Sequence, residues 1–294
     1  MTDSDDLTPI TANAVLLIQY FTVASSTVYL YDLLLTLDLE VNLLWPSKWT
    51  LVKVVYLLQR YLPLVDTVIL AMAWQFGDIN PWTCKLLFRA SSWSLLVGMT
   101  LSEVILIRRT IAVWNNNRKL RITIFLFFLC CITPIYWMLG HYHDTLTYHL
   151  IQIPQIPGLH CSAKGKSHLN FLCWTFLTVY DTGLLVLTAI PAFRARRSSG
   201  AAFQSTLIHA IYRDGVLYYL YLVALSAINV ILTLKLPSDY AILLLSLERV
   251  IYSILTSRVV LHIREQAYQS QVISLNLPNL TNTNTEAEFR RSEI

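Results

Sequence analysis

Seven stretches of about 20 mainly apolar residues recur along the chain, and nothing else narrows its possible folds as much. They lie near residues 13–36, 52–74, 87–107, 121–140, 169–191, 214–234 and 239–261. A helix rising about 1.5 Å per residue needs about 20 residues to cross the hydrocarbon of a bilayer. Backbone polar groups in lipid must be satisfied internally, which leaves helices or closed barrels. The runs lack the alternating ten-residue pattern of barrel strands, so helices are expected. Composition points the same way: only 14% of the residues are charged and 55% are hydrophobic, with a mean hydropathy of +0.52. A soluble domain carries about 25% charge. The predicted fold class is an all-α membrane protein, a seven-transmembrane helix bundle over residues 13–264. It is flanked by a tail at residues 1–12 and by a polar tail at 265–294 that is expected to be disordered.

The loops orient the bundle. Cytoplasmic loops collect Lys and Arg. The 1–2, 3–4 and 5–6 connections and the segment after the seventh run hold thirteen basic residues, among them Arg108, Arg109, Arg118, Arg194, Arg196, Arg197 and Arg264. The opposite loops hold four, and the N-terminal tail there carries Asp3, Asp5 and Asp6. The N-terminus is therefore expected outside and the C-terminus in the cytoplasm. The basic collar suits anionic membrane lipid, and it offers a surface to a cytoplasmic effector. No Lys/Arg stripe with interleaved aromatics points to nucleic acid. The N-terminus lacks a basic n-region and a small-residue cleavage site, so the first helix would itself target the chain. A sequon at Asn279-Leu280-Thr281 lies on the cytoplasmic side in this orientation.

Four blocks carry a family likeness. YDLLLTLDLEVNLLWPSKW, RRTIAVWNNNRKLR, YRDGVLYYLYL and SRVVLHIRE follow one another between residues 31 and 265. Together they resemble a large basidiomycete fungal family of seven-helix integral membrane proteins with an N-terminal domain of unknown function, which here corresponds to about residues 29–64. Ile111, Ala112, Val113 and Trp114 depart from the aromatic and small pair that the family places after its Arg-Thr. The resemblance supports the topology and supplies no activity.

Charges inside the apolar runs are the main candidates for a site. Such groups are costly in lipid and face the bundle interior or a wet cavity. Arg60, Asp66, Glu103, Asp181, Glu248 and Arg249 are expected to form either a structural network that sets helix register or a polar pocket, with Asp66 and Glu248 most central. Cys84 and Cys161 both fall on the outer side, where they would meet an oxidising compartment. Their placement is similar to the disulfide of rhodopsin-type receptors, and the alternative is two free thiols. Cys130, Cys131 and Cys173 lie within the runs as small apolar residues. The outer 4–5 loop gathers five of the seven histidines. His141, His143 and Asp144 could present ligands to a metal ion or respond to acidity, against the simpler reading of a solvated loop. Asp214 is expected to cap the sixth helix.

Several function classes drop out. The seventh run has no Lys, so no retinal Schiff base can form there. No phosphate-cradling glycine loop, GxSxG, HExxH or paired carboxylates of a soluble domain are present, so neither enzyme activity nor a cofactor is expected. What remains is a receptor-like protein of the plasma membrane without an assigned ligand, a transporter or channel using the intramembrane charges, or a structural accessory protein.

Overall fold

The computed structural model describes residues 9–70, 80–152, 159–164, 167–198, 205–236, 240 and 243–292. These contain seven helical rods: α1 (Pro9–Leu43), α2 (Leu51–Pro63, continuing as a π-helical stretch Leu64–Leu70), α3 (Pro81–Val113), α4 (Arg118–Thr145), α5 (Ser167–Ser198), α6 (Ser205–Lys235) and α7 (Leu245–Ser292). Between α4 and α5, strands β1 (Thr147–Gln152) and β2 (Leu159–Lys164) pair antiparallel, with Leu150 opposite Cys161. α1 packs on α7, α7 on α6, α6 on α5 and α5 on α4, while α3 touches α2, α4, α5 and α7 from a central position.

Five of the helices are long and apolar enough to cross a membrane: α1 from Asn13, α3, α4, α5 over Phe171–Pro191 and α6 over Val216–Lys235. The two that do not qualify, α2 and α7, carry Arg60, Asp66, Glu248, Arg249 and Arg258, most of which are turned into the bundle. The outer faces are apolar, as shown by exposed Leu34, Leu35, Phe125, Leu126 and Ile231. Exposed Trp82 and Trp137 ring the end that bears the hairpin, and exposed Trp45 and Trp49 ring the opposite end. Two indole girdles of this kind mark the headgroup levels of a bilayer.

α1, α3, α4, α5 and α6 outrun their apolar stretches at both ends, and α7 at its C-terminal end, because hydropathy reports the length in lipid and not the length of helical backbone. α1 does not end with its apolar run at residue 36 but continues to Leu43, which brings Glu40 onto the bundle side. Asp214, expected as the cap of the sixth helix, lies instead well inside α6, whose backbone begins at Ser205. α7 runs on to Ser292, through the tail expected to be disordered. Polarity argues against burial and does not forbid helix in a glycine-free segment.

Local chemistry shapes three places. Asn115 and Asn116 take positive φ (52° and 55°) in the turn from α3 to α4, a conformation that Asn tolerates better than other side-chain-bearing residues. Asn117 then caps α4 by accepting from the Lys119 N–H at 3.0 Å. At the α1–α2 elbow, Lys53 Nζ donates to the Trp45 and Ser47 carbonyls at 2.9 and 2.8 Å and lies over the Trp49 ring. In α2, Pro63 has no N–H to offer the Gln59 carbonyl, and the backbone beyond it widens into the π-helical stretch. Ser253 Oγ of α7 donates to that carbonyl at 3.4 Å, and Tyr29 Oη of α1 donates to the Arg60 carbonyl at 2.8 Å. The proline thus ties α2 to α1 and α7, since lipid offers freed backbone groups no other partner.

Candidate functional site

Three polar clusters occupy the interior. The first joins α1, α2 and α7. Asp32, Thr36 and Glu40 stand four residues apart on one face of α1, and Arg60 of α2 lies across them. Its Nη1 meets Asp32 Oδ2 at 3.2 Å, its Nη2 donates to Thr36 Oγ1, and its Nε stands 3.4 Å from Glu40 Oε2. Tyr61 Oη and Trp45 Nε1 both donate to Glu40 Oε1, at 2.8 and 3.3 Å. Arg258, 48% exposed, reaches Asp32 Oδ1 from α7 at 2.8 Å.

The second cluster is a fully buried ion pair, Arg249 Nε to Asp66 Oδ2 at 3.1 Å. Thr67 Oγ1 donates to Asp66 Oδ1 at 2.8 Å. The Arg249 guanidinium lies flat against Gly98 of α3, where a Cβ would stand only 2.7 Å from its Nε. Its Nη1 and Nη2 have no hydrogen-bond partner among the described residues.

The third cluster is acidic. Ser226 Oγ of α6 lies 2.9 Å from Asp181 Oδ2 and 3.1 Å from Glu248 Oε1, bridging the two carboxyls. Asn229 Nδ2 donates to Glu248 Oε2, and Tyr252 Oη donates to Asp181 Oδ2 at 2.7 Å. Glu103 of α3 faces Asp181, Tyr180 and Tyr252, yet neither of its carboxyl oxygens finds a well-directed hydrogen bond. Asp181 Oδ1 and Tyr180 Oη are likewise left over. Asp181 therefore stands between two other buried carboxyls, Glu103 and Glu248, and no basic side chain is among their described hydrogen-bond or ion-pair partners.

Above Glu103 a cavity of about 100 Å³ opens between α3, α4 and α5, with Leu245 of α7 at its edge. Leu95, Leu96, Met99, Ile135 and Leu177 form apolar walls, and Phe88, Tyr142 and Trp174 add aromatic rings. Glu103 is the one charged residue in its lining. Trp174 is buried, and its indole N–H has no partner among the described residues. Phe88 continues to the hairpin, where its ring meets Tyr148 of β1 edge-on with centroids 6.0 Å apart.

The six charged residues singled out from sequence are all buried, but they divide among the three clusters. Arg60 belongs to the first, Asp66 and Arg249 to the second, and Glu103, Asp181 and Glu248 to the third. Sequence reasoning missed Asp32, which lies inside the first apolar run, and Glu40 and Arg258, which lie beyond or near the ends of theirs. The four-residue spacing of Asp32, Thr36 and Glu40 was the available signal. It also missed Ser226, Asn229, Tyr252 and Trp174, neutral residues that hydropathy cannot distinguish from packing.

His141 packs edge-on against Trp137, with centroids 4.4 Å apart. His143 is buried beside Phe88 and Trp93, and Asp144 pairs with Arg89 at 3.4 Å on the surface. Among the described residues no three His, Cys, Asp or Glu side chains come together as a metal site. Cys84 is buried, while Cys130, Cys131 and Cys173 are free. The side chain of Cys161 lies outside the described residues.

Apolar outer faces, indole girdles and inward charges define a multi-pass helical membrane protein. A family of unknown function, DUF6533, matches residues 20–65, the segment that holds Asp32, Thr36, Glu40, Arg60 and Tyr61 of the first cluster. In this chain the matched segment covers most of the α1–α2 hairpin. No curated protein matches the chain.

Proposed function

We propose that the chain is a seven-span integral membrane protein, N-terminus outside and C-terminus cytoplasmic, that receives a ligand in its bundle and acts in a receptor-like way. One observation carries the reading: a cavity beneath the hairpin whose apolar lining includes a buried carboxyl, Glu103, and Trp174, whose indole N–H has no partner among the described residues. Evolved interiors leave few such atoms. α3 bears Glu103 on the cavity floor and Arg108 and Arg109 five and six residues on, so a shift of α3 would reach the basic end directly. Thr110 and Tyr219 clasp α3 to α6 there, at 2.8 Å. The reading also pairs Cys84 with Cys161, which would hold the hairpin over the cavity mouth. It is non-enzymatic, and its expected address is the plasma membrane.

Two measurements test it. Glycosylation mapping should leave Asn279 unmodified and modify a sequon placed in residues 1–12; the reverse pattern would invert the topology. Detergent-solubilised full chain should co-purify a heterotrimeric G protein, and Arg108→Ala with Arg109→Ala should remove it. A second reading, proton-coupled transport, draws on the three carboxyls without a basic partner. Flux driven by a pH gradient in proteoliposomes, lost in Asp181→Asn, would favour it over the receptor.

A further inference from the structure

We infer that the cavity above Glu103 binds a compact apolar molecule carrying a protonated amine. The inference rests on the ligand-pocket reading and names the ligand class. Size sets the first limit. An apolar cavity of about 150 Å³ accepts benzene, so about 100 Å³ with an open mouth suits a single ring or a short branched chain. The walls set the second, because their aliphatic side chains reward an apolar body.

The floor selects the head group. A carboxylate accepts hydrogen bonds and cannot donate them. Glu103 is 1% exposed, and the groups that face it are the Tyr180 and Tyr252 hydroxyls and the Asp181 carboxyl, with no cation among them. An ammonium supplies up to three N–H donors, and a charge-assisted bond of this kind is about twice as strong as a neutral one. An anionic head would add negative charge beside Glu103, Asp181 and Glu248. A neutral hydroxyl could donate only one bond and would leave the charge unbalanced. A metal ion is a poor alternative, since no group of three ligands is present among the described residues. Ordered water alone needs two to four polar partners per molecule, and most of this lining is apolar.

The test uses the full chain in nanodiscs and three probes of one shape: benzylamine, benzyl alcohol and benzoate. Binding is read by saturation-transfer NMR against empty nanodiscs. Benzylamine should bind at least about tenfold more tightly than benzyl alcohol, and benzoate should not bind. Glu103→Gln should remove that preference, and Glu103→Asp should retain part of it. Ser92→Trp, placed at a half-buried position in the lining, should block every probe. Equal binding of benzylamine and benzyl alcohol, both lost in Ser92→Trp, would refute the amine and leave the pocket standing. No binding to the wild-type chain, or binding indifferent to Ser92→Trp, would overturn the pocket and the amine together. The wild-type comparison decides the ligand class even where Glu103→Gln fails to fold.

Discussion

Asp66 and Arg249 form the interaction whose energetic role can be tested most sharply. They join α7 to the π-helical end of α2, both side chains are wholly buried, and their contact is 3.1 Å. The guanidinium has little else: Nη1 and Nη2 lack partners among the described residues, and Gly98 gives it space but no acceptor. Asp66→Asn therefore leaves a buried cation without its counter-charge. Breaking such a pair from one side costs about 3–5 kcal/mol, whereas replacing both partners with neutral groups of similar size is often close to neutral. Arg249→Met should be similarly costly, because Asp66 would keep only the hydroxyl of Thr67 as a described side-chain partner. The double variant should recover most of the loss, giving a large coupling term for two side chains in direct contact. Equilibrium unfolding in mixed micelles, followed by tryptophan fluorescence, reads all four corners of the cycle. A cost below about 1 kcal/mol for Asp66→Asn, the range of a solvated pair, would refute the argument. So would simple addition of the two single losses.

Other expectations follow from the same geometry. Arg60→Met should destabilise by about 3–5 kcal/mol, since it leaves buried Glu40 without its cation and Asp32 with only the half-exposed Arg258. Arg258→Ala should cost less than about 1 kcal/mol, because its side chain is 48% exposed; unfolding titrations that reverse this order would count against the assignment of Arg60 as the hub. Tyr29→Phe and Ser253→Ala should each lose about 1 kcal/mol by uncovering a carbonyl near Pro63. Losses that persist unchanged when Pro63 is replaced by Ala would show that the proline is not the reason. Cys84→Ser should cost on the order of 4–5 kcal/mol through the long loop it closes. Cys161→Ser should match it without adding to it, and a silent Cys161→Ser would identify a different partner.

The membrane class and the number of helical rods were legible in the sequence, because lipid imposes one length and one hydrogen-bonding rule on every crossing. Arg60, Asp66, Glu103, Asp181, Glu248 and Arg249 were legible as well, since a charge in an apolar run stands out against its background. Where the helices end was not. Backbone helix costs little to extend past the lipid boundary, so α1 ran beyond residue 36 to Leu43 and Asp214 fell inside α6. The partnerships were not legible either. Asp66 and Arg249 are far apart in the chain, and only the packing of α2 against α7 brings them together. Only tertiary packing balanced the charges of the first two clusters and left the third without a basic partner. It set Glu103 beneath a cavity and beside a second carboxyl, Asp181. Composition and spacing fix how many charges enter the membrane, but which of them remain available to a ligand depends on what the neighbouring helices place within 3 or 4 Å.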